Sequence, residues 1–200
     1  MSRPVEFDRD QAVQKAVHLF WQRGYQATSL TDLLDAMGLS RSSFYGAFGD
    51  KRGLFVECLD VFALRNQVLL QRARDRKPPM AALRSYFERN FGQTSDPDLH
   101  FGCMLVNTVI ELAAIDQGLC DLAGHHLKTV QDLFEACLGD AGAEPGEAKQ
   151  AAAFLMMVNE GARVADRQRI SIPDQLARIN TAFGYVESSI AYRNTANAQL

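Results

Sequence analysis

Apolar residues recur along the chain at the three-to-four-residue spacing of amphipathic helices, and no segment alternates as a β-strand does. One early stripe predicts a short helix: Leu30, Leu33, Leu34 and Met37. Gly38 is expected to end that helix, because glycine adopts a positive φ without a Cβ clash. Ser40 then stands where an N-cap would begin a second helix at Arg41.

The second helix has one aromatic face and one polar face. Phe44 and Phe48 are four residues apart and are expected to anchor it. The remaining positions carry short donors, a phenol and a guanidinium: Arg41, Ser42, Ser43 and Tyr45. Such a helix suits the major groove of DNA, where polar groups contact phosphates and base edges. The pair of helices therefore predicts a helix-turn-helix.

The rest of the chain extends the helical pattern. Further helices are predicted over residues 8–23, 53–74, 80–92, 103–114, 119–138, 145–169 and 173–192. The fold class is therefore all-α, with about nine helices. We expect a three-helix DNA-binding domain over residues 1–52 and a helical effector-binding and dimerisation domain over residues 53–200.

Composition narrows the function classes. Hydrophobic residues make up 47% of the 200-residue chain, enough for a sizeable core. No apolar run approaches the roughly 18 residues of a membrane helix, and the charged N-terminus lacks a signal peptide. We therefore expect a cytoplasmic protein without a membrane partner. The net charge of −3 excludes a protein that coats nucleic acid indiscriminately, so any affinity for DNA must come from a local basic cluster.

The cysteines predict neither a disulfide framework nor a metal site. Cys58, Cys103, Cys120 and Cys137 show no C-x-x-C spacing and no neighbouring ligand pattern. Free thiols are expected, with Cys58, Cys137 and Cys120 in the core. We expect no metal and no other cofactor.

The last helix carries a narrow apolar seam with heptad spacing. Its members are Leu176, Ile179, Phe183, Val186 and Ile190. A seam this narrow is typical of helices that pack against a partner helix, and favours a dimer interface. The alternative is that the seam packs only within its own chain.

A line of polar side chains interrupts an apolar segment. Cys103, Asn107 and Glu111 are four residues apart on the predicted helix. Asn159 and Arg163 form a second polar set on a later helix. Buried polar groups are costly unless they are partnered, so these residues either face water or line an effector pocket. Arg163 is then placed to pair with Glu111 or to meet an anionic ligand.

The motif G-Y-x-A-T-S-L at residues 24–30, M-G-L-S at 37–40 and S-F-Y-x-x-F-x-x-K at 43–51 closely resembles the DNA-binding domain of the TetR/AcrR family. The resemblance implies a homodimeric transcriptional regulator that binds a palindromic double-stranded operator and is released by a small-molecule effector. It implies DNA contacts by Thr28, Arg41, Ser42, Ser43, Tyr45 and Lys51. It also strengthens the dimer interpretation, because the family dimerises through its last two long helices.

Gly102-Cys103, followed by L-V-N and E-L, resembles a NemR-like branch of that family whose members respond to electrophiles through one cysteine. The resemblance implies that modification of Cys103 releases DNA. The alternative is a cysteine that only fills the core. Two other function classes stay open: a small all-α thiol-dependent enzyme, and a DNA-binding dimer without an effector. No nucleophile–base spacing supports the enzyme.

Overall fold

The computed structural model describes residues 7–92 and 101–197. These residues form nine α-helices and no strand, so the all-α prediction is confirmed. The helices are α1 (Arg9–Arg23), α2 (Leu30–Met37), α3 (Arg41–Phe48), α4 (Lys51–Arg74), α5 (Pro79–Phe91), α6 (Met104–Leu112), α7 (Gln117–Asp140), α8 (Pro145–Arg167) and α9 (Ile172–Asn197).

Local chemistry explains the boundaries of the helix-turn-helix. Ser29 and Asp32 form a reciprocal capping box at the start of α2. Gly38 ends α2 in the left-handed region with φ 71°, and Ser40 accepts from the amide of Ser43 to cap α3. Asp50 Oδ1 accepts from the amide of Gly53 at 2.7 Å, which caps α4. The predicted turn and its caps are confirmed.

The chain divides into two compact units. The first comprises Met1–Leu64 together with Met104–His126, and the second comprises Arg65–Cys103 together with Leu127–Leu200. In the first unit the rings of Phe20 and Phe55 pack edge to face at 4.8 Å, and Trp21 packs on Phe62 at 5.4 Å. Helix α6 belongs to this first unit, together with α1, α2 and α3.

The second unit has an aromatic core. The ring centroid of Phe87 in α5 lies 5.6 Å from that of Phe134 in α7 and 5.2 Å from that of Phe183 in α9. The α9 seam belongs to this core: Ile179, Phe183, Val186 and Ile190 are buried and Leu176 packs against them. These side chains are therefore covered by their own chain. This corrects our expectation that the seam faces a second subunit.

The cysteines other than Cys103 differ in burial. Cys58 and Cys137 are fully buried, as expected, whereas Cys120 is only half-buried. Within the described residues, no helix is both long and apolar enough to cross a bilayer.

Candidate DNA-binding surface and effector site

Helix α3 separates its aromatic anchors from its polar side chains. Phe44 is fully buried and Phe48 is nearly so, with their ring centroids 5.6 Å apart. Tyr45 is 49% exposed on another face, next to the exposed Arg41. Arg41 forms no hydrogen bond or ion pair with any described residue. Its guanidinium is therefore available to a phosphate or a base edge.

The N-terminus of α3 is held by a serine cluster. Ser40 Oγ lies 3.0 Å from Ser42 Oγ and 2.9 Å from Ser43 Oγ. Hydroxyls donate and accept, so Ser42 and Ser43 can bind an anion while the cap persists. The helix N-terminus also favours negative charge.

Lys51 stands at the start of α4, three residues after the end of α3. Its Nζ lies 4.3 Å from the centroid of the Tyr25 ring, a cation–π contact. Partial burial lowers the pKa of the Lys51 ammonium, and Glu111 opposes that shift. The cation–π contact fixes the position of the Lys51 side chain in the absence of DNA.

Thr28 does not face solvent. Its side chain is fully buried, and its hydroxyl donates to the carbonyl oxygen of Gly24 at 2.7 Å. A phosphate cannot reach a buried hydroxyl whose proton is already donated. This corrects our expectation that Thr28 contacts phosphate; its role here is to close the turn between α1 and α2.

Glu111 of α6 binds that same turn. Its carboxylate accepts from the backbone amides of Tyr25 at 3.0 Å and Gln26 at 2.7 Å. Gly24, with φ 85°, makes the approach possible, because a Cβ there would stand 2.7 Å from Glu111 Oε2. The sequence did not predict the contact between Glu111 and this turn, and we had expected Glu111 to face water or to line an effector pocket. No local pattern in the sequence of α6 indicates this contact.

A second acidic residue joins the end of α6 to α4. Asp116 accepts from Arg52 through two contacts of 2.8 and 3.1 Å and also accepts from the amide of Leu119. The hydrogen bonds from Arg52 lower the pKa of Asp116 to about 2. The Arg52 guanidinium is therefore paired with a carboxylate in this structure.

The Gly-Cys motif has a geometric cause. Gly102 adopts φ 71°, and a Cβ there would stand 3.0 Å from the carbonyl oxygen of Arg163. The amide of Gly102 donates to Asp166 Oδ2 at 3.2 Å. Glycine thus lets the chain approach α8 closely and leaves Cys103 only 5% exposed, immediately before α6.

The predicted polar sets are divided between the units. Cys103, Asn159 and Arg163 belong to the second unit, whereas Asn107 and Glu111 belong to the first. Asn107 is half-buried on α6. Arg163 donates from Nη2 to Asn90 Oδ1 at 2.7 Å, and its guanidinium carbon lies 4.6 Å from the Phe91 ring centroid. Among the described residues, no group of three or more His, Cys, Asp or Glu could hold a metal ion.

Sequence and structure comparisons agree with this arrangement. Residues 12–58 match the model of bacterial regulatory proteins of the tetR family, and residues 79–172 match the C-terminal domain of LmrA/YxaF-like transcriptional regulators. The HTH-type transcriptional repressor ComR of Escherichia coli (strain K12) is 38% identical over 115 residues, which cover 56% of this chain and 54% of ComR. The match therefore spans about half the length of that relative.

Two solved structures extend the similarity over most of the chain. A protein described as a TetR transcriptional regulator from Rhodococcus sp. RHA1 is 31% identical, with 90% of this chain and 98% of that chain covered and a TM-score of 0.53. A cysteine mutant of the TetR family transcriptional regulator CifR, complexed with 26-bp double-strand operator DNA, is 26% identical, with 90% and 98% covered and a TM-score of 0.78.

The helix-turn-helix and the all-helical remainder thus define a DNA-binding transcriptional regulator rather than an enzyme. The chain belongs to the TetR family.

Proposed function

We propose that the protein is a cytoplasmic homodimeric repressor that binds a palindromic operator through α3. The observation that carries this proposal is the division of α3 into buried aromatic anchors and an exposed polar face with Arg41, Ser42 and Tyr45. Ser43 and Lys51 complete the proposed DNA contacts. Related proteins support the repressor role, since ComR is named a repressor and the CifR mutant was captured on operator DNA.

Operator binding is tested by retaining a random double-stranded DNA library on the protein and sequencing the bound fraction. We expect a palindrome whose half-sites are about one DNA turn apart, the spacing that a two-fold dimer imposes. If the guanidinium reads a base, Arg41→Ala should weaken operator binding by about 1–3 kcal/mol and relax the sequence preference at one base pair. If it contacts a phosphate, the substitution should reduce the slope of the logarithm of affinity against the logarithm of salt concentration by about one. Arg72→Ala, at an exposed position late in α4, is the matched control. Enrichment of no motif would refute the proposal.

We propose that the dimer forms through the outer face of α8 and α9 rather than through the α9 seam. Four large apolar side chains are exposed there: Phe154, Met157, Val164 and Tyr185, at 36%, 64%, 42% and 71%. Phe154, Met157 and Val164 lie on one stripe of α8, and a groove of about 450 Å³ beside Phe154 and Tyr185 offers room for a partner side chain. An apolar patch of this kind marks an interface.

The oligomeric state tests this face directly. Met157→Glu should convert the dimer to a monomer in light scattering, because a charge would be buried in an apolar interface. Leu64→Glu, at a comparably exposed apolar position on α4, should leave the dimer intact. If Met157→Glu remains dimeric, the interface lies on another surface of the protein.

We propose that operator release follows effector binding or modification of Cys103. Cys103 directly precedes α6, and α6 carries the Glu111 carboxylate that binds the turn before α2. A change at Cys103 would therefore act on the same helix whose Glu111 carboxylate binds the turn before α2. The effector must favour the form that does not bind DNA, since otherwise no population shifts.

Alkylation separates the two modes of release. We expect N-ethylmaleimide to release the operator from the wild type and from Cys58→Ser, but not from Cys103→Ser. If N-ethylmaleimide still releases the operator from Cys103→Ser, Cys103 is not the sensor. If the wild type itself is indifferent to alkylation, a non-covalent effector remains as the means of release. The absence of an effector cavity would favour a DNA-binding dimer that lacks an effector.

A further inference from the structure

Arg163 is a buried cation without an anionic partner in the described part of the chain. Its side chain is 8% exposed, and its Nε has no hydrogen-bond partner. The neutral amide of Asn90 takes one N–H at 2.7 Å, and the Phe91 ring covers one face of the guanidinium. None of these groups neutralises the charge.

No acidic side chain among the described residues forms an ion pair with Arg163. Asp166 accepts from the amide of Gly102. Tyr86 lies beside Arg163 and is 3% exposed, and its burial raises the pKa of the phenol, so the neutral phenol oxygen accepts from the guanidinium and is not a counter-ion. A buried charge that lacks a partner is strongly unfavourable, and proteins retain one where a ligand supplies the opposite charge.

A second unpaired group lies one turn earlier on α8. Asn159 is 2% exposed, and among the described residues its Oδ1 has no partner, while its Nδ2 contacts the Met156 sulfur at 3.9 Å. Because Asn159 and Arg163 are four residues apart, they stand on the same face of the helix. The Arg163 cation can pair with a carboxylate, and Asn159 Oδ1 can accept from a hydroxyl, so the two side chains suit a small acid that also carries a hydrogen-bond donor.

We propose that Arg163, Tyr86 and Asn159 bind a small aromatic hydroxy acid, with its carboxylate on the guanidinium and its hydroxyl on Asn159, and that this acid is the effector. The fixed plane of the guanidinium suits bidentate pairing with a carboxylate. The aromatic rings of Phe87 and Phe91 make the surroundings apolar enough to favour an aromatic body. This inference rests on the proposed effector-controlled release of DNA.

The test compares salicylate with its neutral amide, salicylamide, by calorimetry on the dimer without DNA. Salicylate should bind saturably to the wild type, and salicylamide should bind at least tenfold more weakly. Arg163→Met should lose salicylate binding by at least tenfold while Arg89→Met, at an exposed position on α5, binds as the wild type does. Arg163→Met should also raise the melting temperature of the free protein, because an apolar side chain replaces an unpaired buried charge.

Several results would overturn the proposal. The proposal fails if salicylate and salicylamide bind equally well, or if Arg163→Met binds salicylate with the affinity of the wild type. It also fails if neither salicylate nor benzoate binds saturably to the wild type at millimolar concentration. If Arg163→Met fails to fold, Tyr86→Phe removes one donor and should weaken salicylate several-fold, and unchanged affinity would count against the site. Binding that leaves the operator complex intact would overturn the effector role. Absence of any selected operator, with salicylate binding intact, would instead refute the proposed function.

Discussion

Replacing Glu111 tests the contact between α6 and the helix-turn-helix. In Glu111→Gln one oxygen remains an acceptor, while the new amide group presents a donor to an N–H, so one of the two contacts to Tyr25 and Gln26 is lost. A hydrogen bond to a charged group contributes about 1.5–3 kcal/mol. The site is only half-buried, so solvent screening puts the loss at or below the lower end of this range, at about 1–2 kcal/mol.

For a chain of this size each kcal/mol corresponds to about 2–4 °C in melting temperature. We therefore expect Glu111→Gln to melt about 2–8 °C below the wild type, and Glu111→Ala to melt lower still because both amides lose their acceptor. Asp35→Asn, which removes an exposed carboxylate from α2, should shift the free energy of unfolding by at most about 0.5 kcal/mol.

Hydrogen exchange localises the effect. The amides of Tyr25 and Gln26 should exchange at least several-fold faster in Glu111→Gln, whereas the amide of Leu39, which donates to Leu34 within the helix-turn-helix, should keep its wild-type rate. Unchanged exchange at both amides, together with an unchanged melting temperature, would refute the contact. A uniform increase across the first unit would indicate global destabilisation rather than loss of this contact.

Three further predictions concern single sites. Gly102→Ala should lower stability by about 1–3 kcal/mol in thermal unfolding, because φ 71° is strained for alanine and its Cβ would crowd a carbonyl of α8. The Arg52 contacts lower the pKa of Asp116 to about 2, so their stabilising effect is present above the ordinary carboxyl pKa and is lost as pH falls towards 2. An NMR titration should show the Asp116 pKa rising towards its ordinary value in Arg52→Gln. Burial raises the pKa of Cys58 and raises that of Cys137 to about 11, so neither thiol should react with a disulfide reagent at neutral pH until the protein unfolds.

The sequence predicted best those features that depend on neighbouring residues. The α2–α3 turn follows from Gly38 and Ser40, because a positive φ and an N-cap are local requirements. The aromatic face of α3 follows from the spacing of Phe44 and Phe48. These elements needed no knowledge of tertiary contacts, and their bounds agree with the structure.

Contacts between distant segments were not predictable in the same way. Glu111 and Tyr25 are separated by 86 residues, and nothing in the local pattern of α6 indicates that its carboxylate binds backbone amides. Thr28 was misplaced for a related reason. A threonine beside a helix start can face solvent or turn inward to a carbonyl, and only the packing of α1 against α2 decides between these positions.

The error on α9 has a more general cause. A 3,4 spacing shows that one stripe of a helix is buried, but the spacing is the same whether the covering helices belong to its own chain or to a partner. The stripe of α9 is covered by Phe87 and its neighbours from α5 and α7. The proposed interface uses apolar side chains that remain exposed, among them the α8 stripe of Phe154, Met157 and Val164. Its residues are interleaved with buried ones on an apolar helix, so periodicity alone could not separate an outer face from an inner one.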